Sequence, residues 1–275
     1  MSGAKIKNFI ILVLLLAVVF LLILVVPQQL ELRQQAENTR ELLAQLCQDA
    51  GISLDPDILP EDQTLYELEL SASDSAEMSI ATLLLEESVT VSEDASLARS
   101  VYTAAAGSCS FSSSDGGFSA ELTVPREAED TPAAFSESLL STLGFDPVDI
   151  VETVRAGGLV QVTATQQYLG VPVFSSSLVL TFENGCLTQI DGTFYTSDGQ
   201  PTRLSESACI TCADAIVAFL AGREALGWVG GEITAVTQGY IRSGVAINLT
   251  PVWRITTDTG VIEVNGITRA VSLAA

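Results

Sequence analysis

The chain of 275 residues contains no histidine, and its only two lysines, Lys5 and Lys7, both precede position 9. Without histidine the commonest general base, the Ser-His and Cys-His nucleophile pairs and the commonest metal ligand are all missing. Cations are scarce as well: 12 Lys+Arg stand against 34 Asp+Glu, a net charge of −22, and every acid lies after Val26. Such a surface repels phosphate backbones, which disfavours nucleic acid as a partner. The five cysteines, Cys47, Cys109, Cys186, Cys209 and Cys212, are odd in number and widely spaced, unlike the framework of a small disulfide-rich domain. Cys209 and Cys212 form two ligands of an incomplete zinc site. Both share an apolar helical stripe with Ile216 and Phe219, so they are expected to be small core residues.

The acids assemble no clear chemistry either. Glu86 and Glu87 are adjacent, so they point to different faces of any regular element and make a poor acid–base dyad. Asp55, Asp57, Glu61 and Asp62 lack the spacing of an EF-hand loop and read as a solvated acidic turn. The expectation is a protein that is not an enzyme and needs no cofactor or metal.

What the sequence does contain is a long apolar run. Phe9 to Val26 holds 18 residues without a charge, close to the roughly 20 that span a bilayer as a helix. No small-x-small cleavage site follows, so an uncleaved anchor is expected. The lysines before the run place residues 1–8 in the cytoplasm, and everything after it outside the cell, at the membrane surface.

Residues 27–50 read as a juxtamembrane helix, with Leu32, Ala36, Leu43 and Cys47 on one face, suited to a partner helix or to docking on the chain's own domain. Residues 51–128 are expected to form a small α+β module, with a strand at Tyr66 to Leu70, a helix at Ala76 to Glu87 and a hairpin turning at Asp115-Gly116-Gly117. Thr131-Pro132 predicts a helix start, and Gly144 its end. Val160 to Tyr168 alternates with period two, Phe174 to Phe182 forms a second extended run, and Asn184-Gly185 supplies a tight turn to a third. A helix is expected to start at Ser205 or Ser207, followed by strands at Glu232 to Tyr240, Ala246 to Thr257 and Val261 to Val271. Helix, strand, strand, strand would thus occur twice, in 129–204 and 205–275, with Gln167-Tyr168 and Gly239-Tyr240 at matching strand ends. The expected fold class is α+β: helices laid on antiparallel sheets, behind a transmembrane helix.

The stretch Gln166-Gln167-Tyr168-Leu169-Gly170-Val171-Pro172-Val173-Phe174 resembles the Q-x-Y-x-G-(I/V)-P-V-F run of PepSY-like and propeptide-like domains. Leu249 to Ile255 and Val264 to Thr268 resemble the L-x-P-x-W-x-V and V-N-A-x-T-G ending of the same modules, with Gly266 in place of the usual Ala and Arg269 in place of a final Gly. Behind one N-terminal helix, this layout resembles the YycI/YycH family of Gram-positive bacteria, which regulates an essential cell-wall sensor kinase of the WalK/YycG type. The resemblance implies tandem PepSY-like repeats, a sensor histidine kinase and a sister YycH-like protein as partners, the bilayer as the setting of Phe9 to Val26, and regulation of a two-component system. Its motif positions are Tyr168, Gly170, Pro172, Phe174, Pro251, Trp253 and Asn265, all of types that also serve strands and turns. A propeptide-like module that binds or inhibits an extracytoplasmic peptidase is the alternative.

Overall fold

A computed structural model describes residues 37–70, 74–86, 88–94, 98–128, 130–196, 201–244 and 247–274, with single positions at 14, 34 and 35. The expected membrane span lies outside these residues except for Leu14. Among the described residues no helix is long and apolar enough to cross a membrane.

Three times among the described residues a helix is followed by a four-stranded antiparallel meander. Helix α1 covers residues 37–49 and leads to β1 (Ser53–Leu54) and β2 (Tyr66–Glu69). The first unit is α2 (Asp74–Leu85) with β3 (Thr90–Asp94), β4 (Arg99–Ala104), β5 (Gly107–Ser112) and β6 (Gly117–Glu127). The second is α3 (Pro132–Thr142) with β7 (Pro147–Val154), β8 (Val160–Tyr168), β9 (Val171–Glu183) and β10 (Cys186–Thr193). After β11 (Thr202–Ala208) comes the third, α4 (Cys212–Gly222) with β12 (Glu232–Ser243), β13 (Asn248–Thr257), β14 (Gly260–Asn265) and β15 (Val271–Leu273). The α+β class holds. Each later unit has four strands rather than the expected three, β7 and β15 being the additions.

Local chemistry accounts for the boundaries. Thr131 caps α3 by accepting a hydrogen bond from the Ala134 N–H at 3.3 Å, with Pro132 at the first helical position. Thr211 caps α4 in the same way through Asp214 N–H at 3.1 Å. Ser205 and Ser207 therefore do not start that helix; they lie in β11, whose side chains are exposed almost throughout and carry no periodic apolar signal. The β8–β9 hairpin turns on Leu169 and Gly170, both at positive φ (53° and 81°), the backbone that a two-residue turn needs to follow the strand twist.

The first two units share one antiparallel sheet in the order β7-β8-β9-β10-β6-β5-β4-β3, joined where the fourth strands β10 and β6 pair, for example Ile190 with Ala120. Both α2 and α3 cover it, and Ile80, Leu84, Leu140, Phe145, Leu178 and Phe182 belong to a single core. In the second sheet β12 to β15 run in order, β2 pairs with the start of β13 through Asn248 and Leu249, β11 lies outside β2, and β1 runs parallel to β12. Residues 51–128 are therefore not one module: the stretch through Glu69 belongs to the C-terminal sheet, and the stretch from Asp74 belongs to the sheet of residues 132–193. The two sheets meet where β12 and β9 run parallel, Tyr240 beside Val173.

Helix α1 docks on the chain itself. Leu43 and Cys47 are buried in the C-terminal core with Ile216, Phe219 and Trp253, while Leu42 and Leu46 on the same helix are exposed. Arg223 Nη1 donates to the Ala50 carbonyl at 3.2 Å, fastening the end of the helix to the far end of α4.

Candidate functional site

Four of the motif positions read from the sequence, Tyr168, Gly170, Pro172 and Phe174, lie along β8 and β9 at the seam between the sheets. Tyr168 is half-buried at the end of β8 and packs against a cluster containing Leu68, Val171, Val173, Tyr240 and Leu249. Gly170 forms the adjoining turn. Pro172 of β9 pairs with Gln167 of β8, and its carbonyl faces Gly239, where an added Cβ would lie 2.5 Å from that oxygen and 2.7 Å from the Phe174 ring. Phe174 lies beneath the Arg254 guanidinium, 3.9 Å from the ring centroid.

The second motif fastens the other side. Pro251 pairs with Tyr240 across β12 and β13, and its carbonyl accepts from Gly266 N–H at 2.8 Å. Trp253 is wholly buried and donates from Nε1 to the Ile210 carbonyl at 2.9 Å, holding the segment before α4 against the sheet. The Asn265 side chain accepts from Ile267 N–H at 2.9 Å and Thr268 N–H at 2.8 Å, closing the turn after β14. Gly266 leaves room for Cys209: an added Cβ there would collide with the Cys209 sulfur and sit 2.7 Å from the Pro251 carbonyl. The paired tyrosines are not equivalent, since Tyr168 ends the second strand of its unit and Tyr240 lies in the first strand of the next.

Three contributors escaped the sequence reading. Arg254 grips Glu263 on β14, with Nε and Nη2 at 3.2 and 2.5 Å from Oε1, while lying over Phe174. Gln166 opens the first motif. It is buried, donates to the Tyr195 carbonyl at 3.0 Å, and accepts from Ser176 Oγ at 2.6 Å and Tyr195 N–H at 3.2 Å. Its place on the inward face with Val162 and Ala164 was the available signal, because a buried amide requires partners. Asp62, assigned to a solvated turn, accepts from the Cys212 N–H at 2.6 Å and so satisfies a free donor at the start of α4.

An open cleft of about 720 Å³ lies between α1, residues 59–62 and the start of α4, lined by Glu37, Arg40, Leu43, Pro60, Asp62 and Cys212. Burial, followed by the charge of Asp62, pushes the Cys212 thiol up to about 12; burial, followed by Glu77, does the same to Cys109. Burial also raises the Cys209 and Cys47 thiols. Thiols held away from the thiolate pack as apolar groups and are poor nucleophiles. Cys212 is buried and Cys209 is half-buried, the latter touching both the C-terminal core and the seam cluster. Glu86 is engaged by Arg126, and Glu87 lies outside the described residues. The contacts that cross between the two sheets are Tyr240 beside Val173, Arg254 over Phe174 and the close approach of Gly239 to Pro172, whereas those of Trp253, Asn265 and Glu263 lie within the C-terminal sheet and its core.

No family model matches the chain, and no curated protein matches it. Seven solved chains match. One is the crystal structure of YycH from Bacillus subtilis, 13% identical, with a TM-score of 0.40 over 74% of this chain and 53% of that one. The chain thus spans about half the length of that neighbour.

Proposed function

We propose that this protein is a membrane-anchored, non-enzymatic regulator of a two-component sensor histidine kinase that controls cell-wall homeostasis, acting through contacts in the membrane and outside the cell. The observation that carries the reading is the docking of α1. This helix follows the apolar run of Phe9 to Val26 in sequence and buries Leu43 and Cys47 in the C-terminal core. A displacement of the membrane segment transmitted along the chain would reach α4 and the seam through packed side chains. The motif resemblance supports the kinase as partner, and the packing and turn roles of the motif residues suit a relay of contacts rather than chemistry.

Anchoring contributes to such regulation by confining both proteins to one surface, which raises effective concentration. Specific helix packing would contribute separately; Ala17 is the one small residue in the run, so packing would rest on Leu, Val and Phe. The test is a reporter of the kinase pathway in cells carrying the native protein, a form with Phe9 to Val26 replaced by an unrelated spanning helix, or the outer part secreted without an anchor. Regulation by the native form, weakened in the swapped form and lost in the secreted one, is expected. Equal regulation by all three rejects both contributions. Reporter output that ignores the native protein, together with inhibition of a secreted peptidase, would favour the propeptide-like alternative. Recovery of a mature protein starting near Gln28 would remove the anchor.

A further inference from the structure

A strand at the edge of a sheet presents unpaired backbone groups, and proteins protect such edges with charges, prolines and bulges. In this chain β3 carries Glu93 and Asp94; β7 carries Asp149 and Glu152 and a register break between Val148 and Val151. Strand β11 carries Arg203 and Glu206 and a break between Arg203 and Ala208, and two-residue β1 runs into Asp55-Pro56. Strand β15 is also short, at three residues, and it carries no charge, proline or bulge. From Ala270 to Ala274 the sequence is AVSLA, without charge, proline or bulge, in a chain of net charge −22. Among the described residues β15 pairs only with β14.

The same molecule shows what the fourth strand of such a unit pairs with. Strands β6 and β10 are the fourth strands of the first two units, and they pair antiparallel with each other to make one sheet under α2 and α3. Strand β15 is the fourth strand of the third unit. We infer that β15 pairs antiparallel with β15 of a second copy of this chain, extending the C-terminal sheet across a twofold axis at Ser272.

The ladder has the right phase. Asn265 N–H donates to the Ala270 carbonyl at 2.8 Å and Ala274 N–H to the Val261 carbonyl at 2.9 Å. Antiparallel alternation then turns the backbone groups of Val271 and Leu273 outward. A twofold axis at Ser272 sets Val271 opposite Leu273 of the other copy as a hydrogen-bonded pair, and Ser272 opposite itself as a close, non-hydrogen-bonded pair.

The side chains fit as well. Val271 faces α4, its Cγ2 lying 3.0 Å from where a Gly222 Cβ would be, and alternation puts Leu273 on the same face. Leu273 is 58% exposed. Beside Val271 a shallow groove of about 480 Å³ runs along Ala218, Ala221, Gly222 and Ala225 of α4 and the turn after it. In the paired arrangement each Leu273 lies next to the other copy's Val271, at the mouth of that groove. The charged residue lining the groove is Arg269, whose guanidinium lies 3.7 Å from Asp214, so the charge at the groove is partly neutralised within each chain. The pairing depends on residues 212–274 and is independent of the kinase reading.

The test uses the full chain in membranes of expressing cells. Ser272→Cys under mild oxidation is expected to form a disulfide-linked homodimer at least about tenfold faster than Ser92→Cys on the protected edge β3, because opposed close pairs lie within disulfide reach. The unmodified chain sets the background from native thiols. Leu273→Lys in the Ser272→Cys chain is expected to slow cross-linking about tenfold by charging the edge. Equal rates for Ser272→Cys and Ser92→Cys, a cross-linked product of another mass, or a rate unchanged by Leu273→Lys would each overturn the inference. Should the lysine variant fail to accumulate, the comparison of the two cysteine variants decides alone.

Discussion

Arg254 rests its guanidinium 3.9 Å from the centre of the Phe174 ring while holding Glu263 with two nitrogens, so a cation of the C-terminal sheet sits on an aromatic of the sheet shared by the first two units. The Glu263 side chain is only 12% exposed and depends on this partner.

Arg254→Ala is expected to lower unfolding free energy by about 2–3 kcal/mol, since it removes a cation–π contact and strands a largely buried carboxylate. Adding Glu263→Gln should recover part of the loss, because the stranded charge is then gone. Urea denaturation of the two variants measures it. Strictly additive losses would mean the pair is not coupled.

Gly266→Ala restores the residue common in the resembling modules, yet here it is expected to cost about 2 kcal/mol, from overpacking against the Cys209 sulfur and the Pro251 carbonyl. Combined with Cys209→Ala, the loss should be smaller than the sum of the single losses, with the carbonyl clash remaining. Thermal melts of the single and double variants would show this coupling, and a neutral Gly266→Ala would refute the close approach.

Burial raises the Glu77 pKa, with Asp74 adding to the rise and the hydroxyl of Tyr102, 3.3 Å away, opposing it. Above the ordinary carboxylate value the unfolded chain releases its proton while the folded chain retains it, so stability falls as pH rises from about 4.5 to the raised value. Glu77→Gln should flatten this part of the pH profile while keeping an acceptor for Tyr102. An unchanged slope in denaturation experiments between pH 4 and 7 would contradict it.

Leu43→Ser should cost about 2 kcal/mol through lost burial on the C-terminal core. Released from its dock, α1 should expose Arg40 to trypsin, and cleavage there should accelerate more than at Arg99. Equal acceleration at both sites would indicate general unfolding instead.

Signals carried by neighbouring residues were legible without the fold. Thr131-Pro132 starts a helix because a hydroxyl acceptor and a fixed φ meet local needs, and Val160 to Tyr168 forms a strand because its period of two is written in adjacent positions. Asp115-Gly116-Gly117 and Asn184-Gly185 likewise mark turns that the structure contains. That Tyr168 and Phe174 would lie at the seam while Trp253 enters the C-terminal core was not legible, because both motifs read alike as aromatic and turn residues.

Strand partnership was decided only in three dimensions. Nothing in Tyr66–Glu69 says that it leaves the following helix and pairs with β13, and nothing in Gly117–Glu127 names β10 as its neighbour. Backbone hydrogen bonds are nearly alike for every strand, so the choice falls to distant side-chain packing. Strand β11 shows the limit most sharply: exposed and aperiodic, it is held by pairing with β2 and by Arg203 lying 3.1 Å from the centre of the Tyr66 ring. By itself the sequence determined the caps, turns, apolar alternation and concentration of charge. Which sheet each strand joined was a tertiary decision, because a strand's period specifies which face it buries and leaves the identity of its neighbour open.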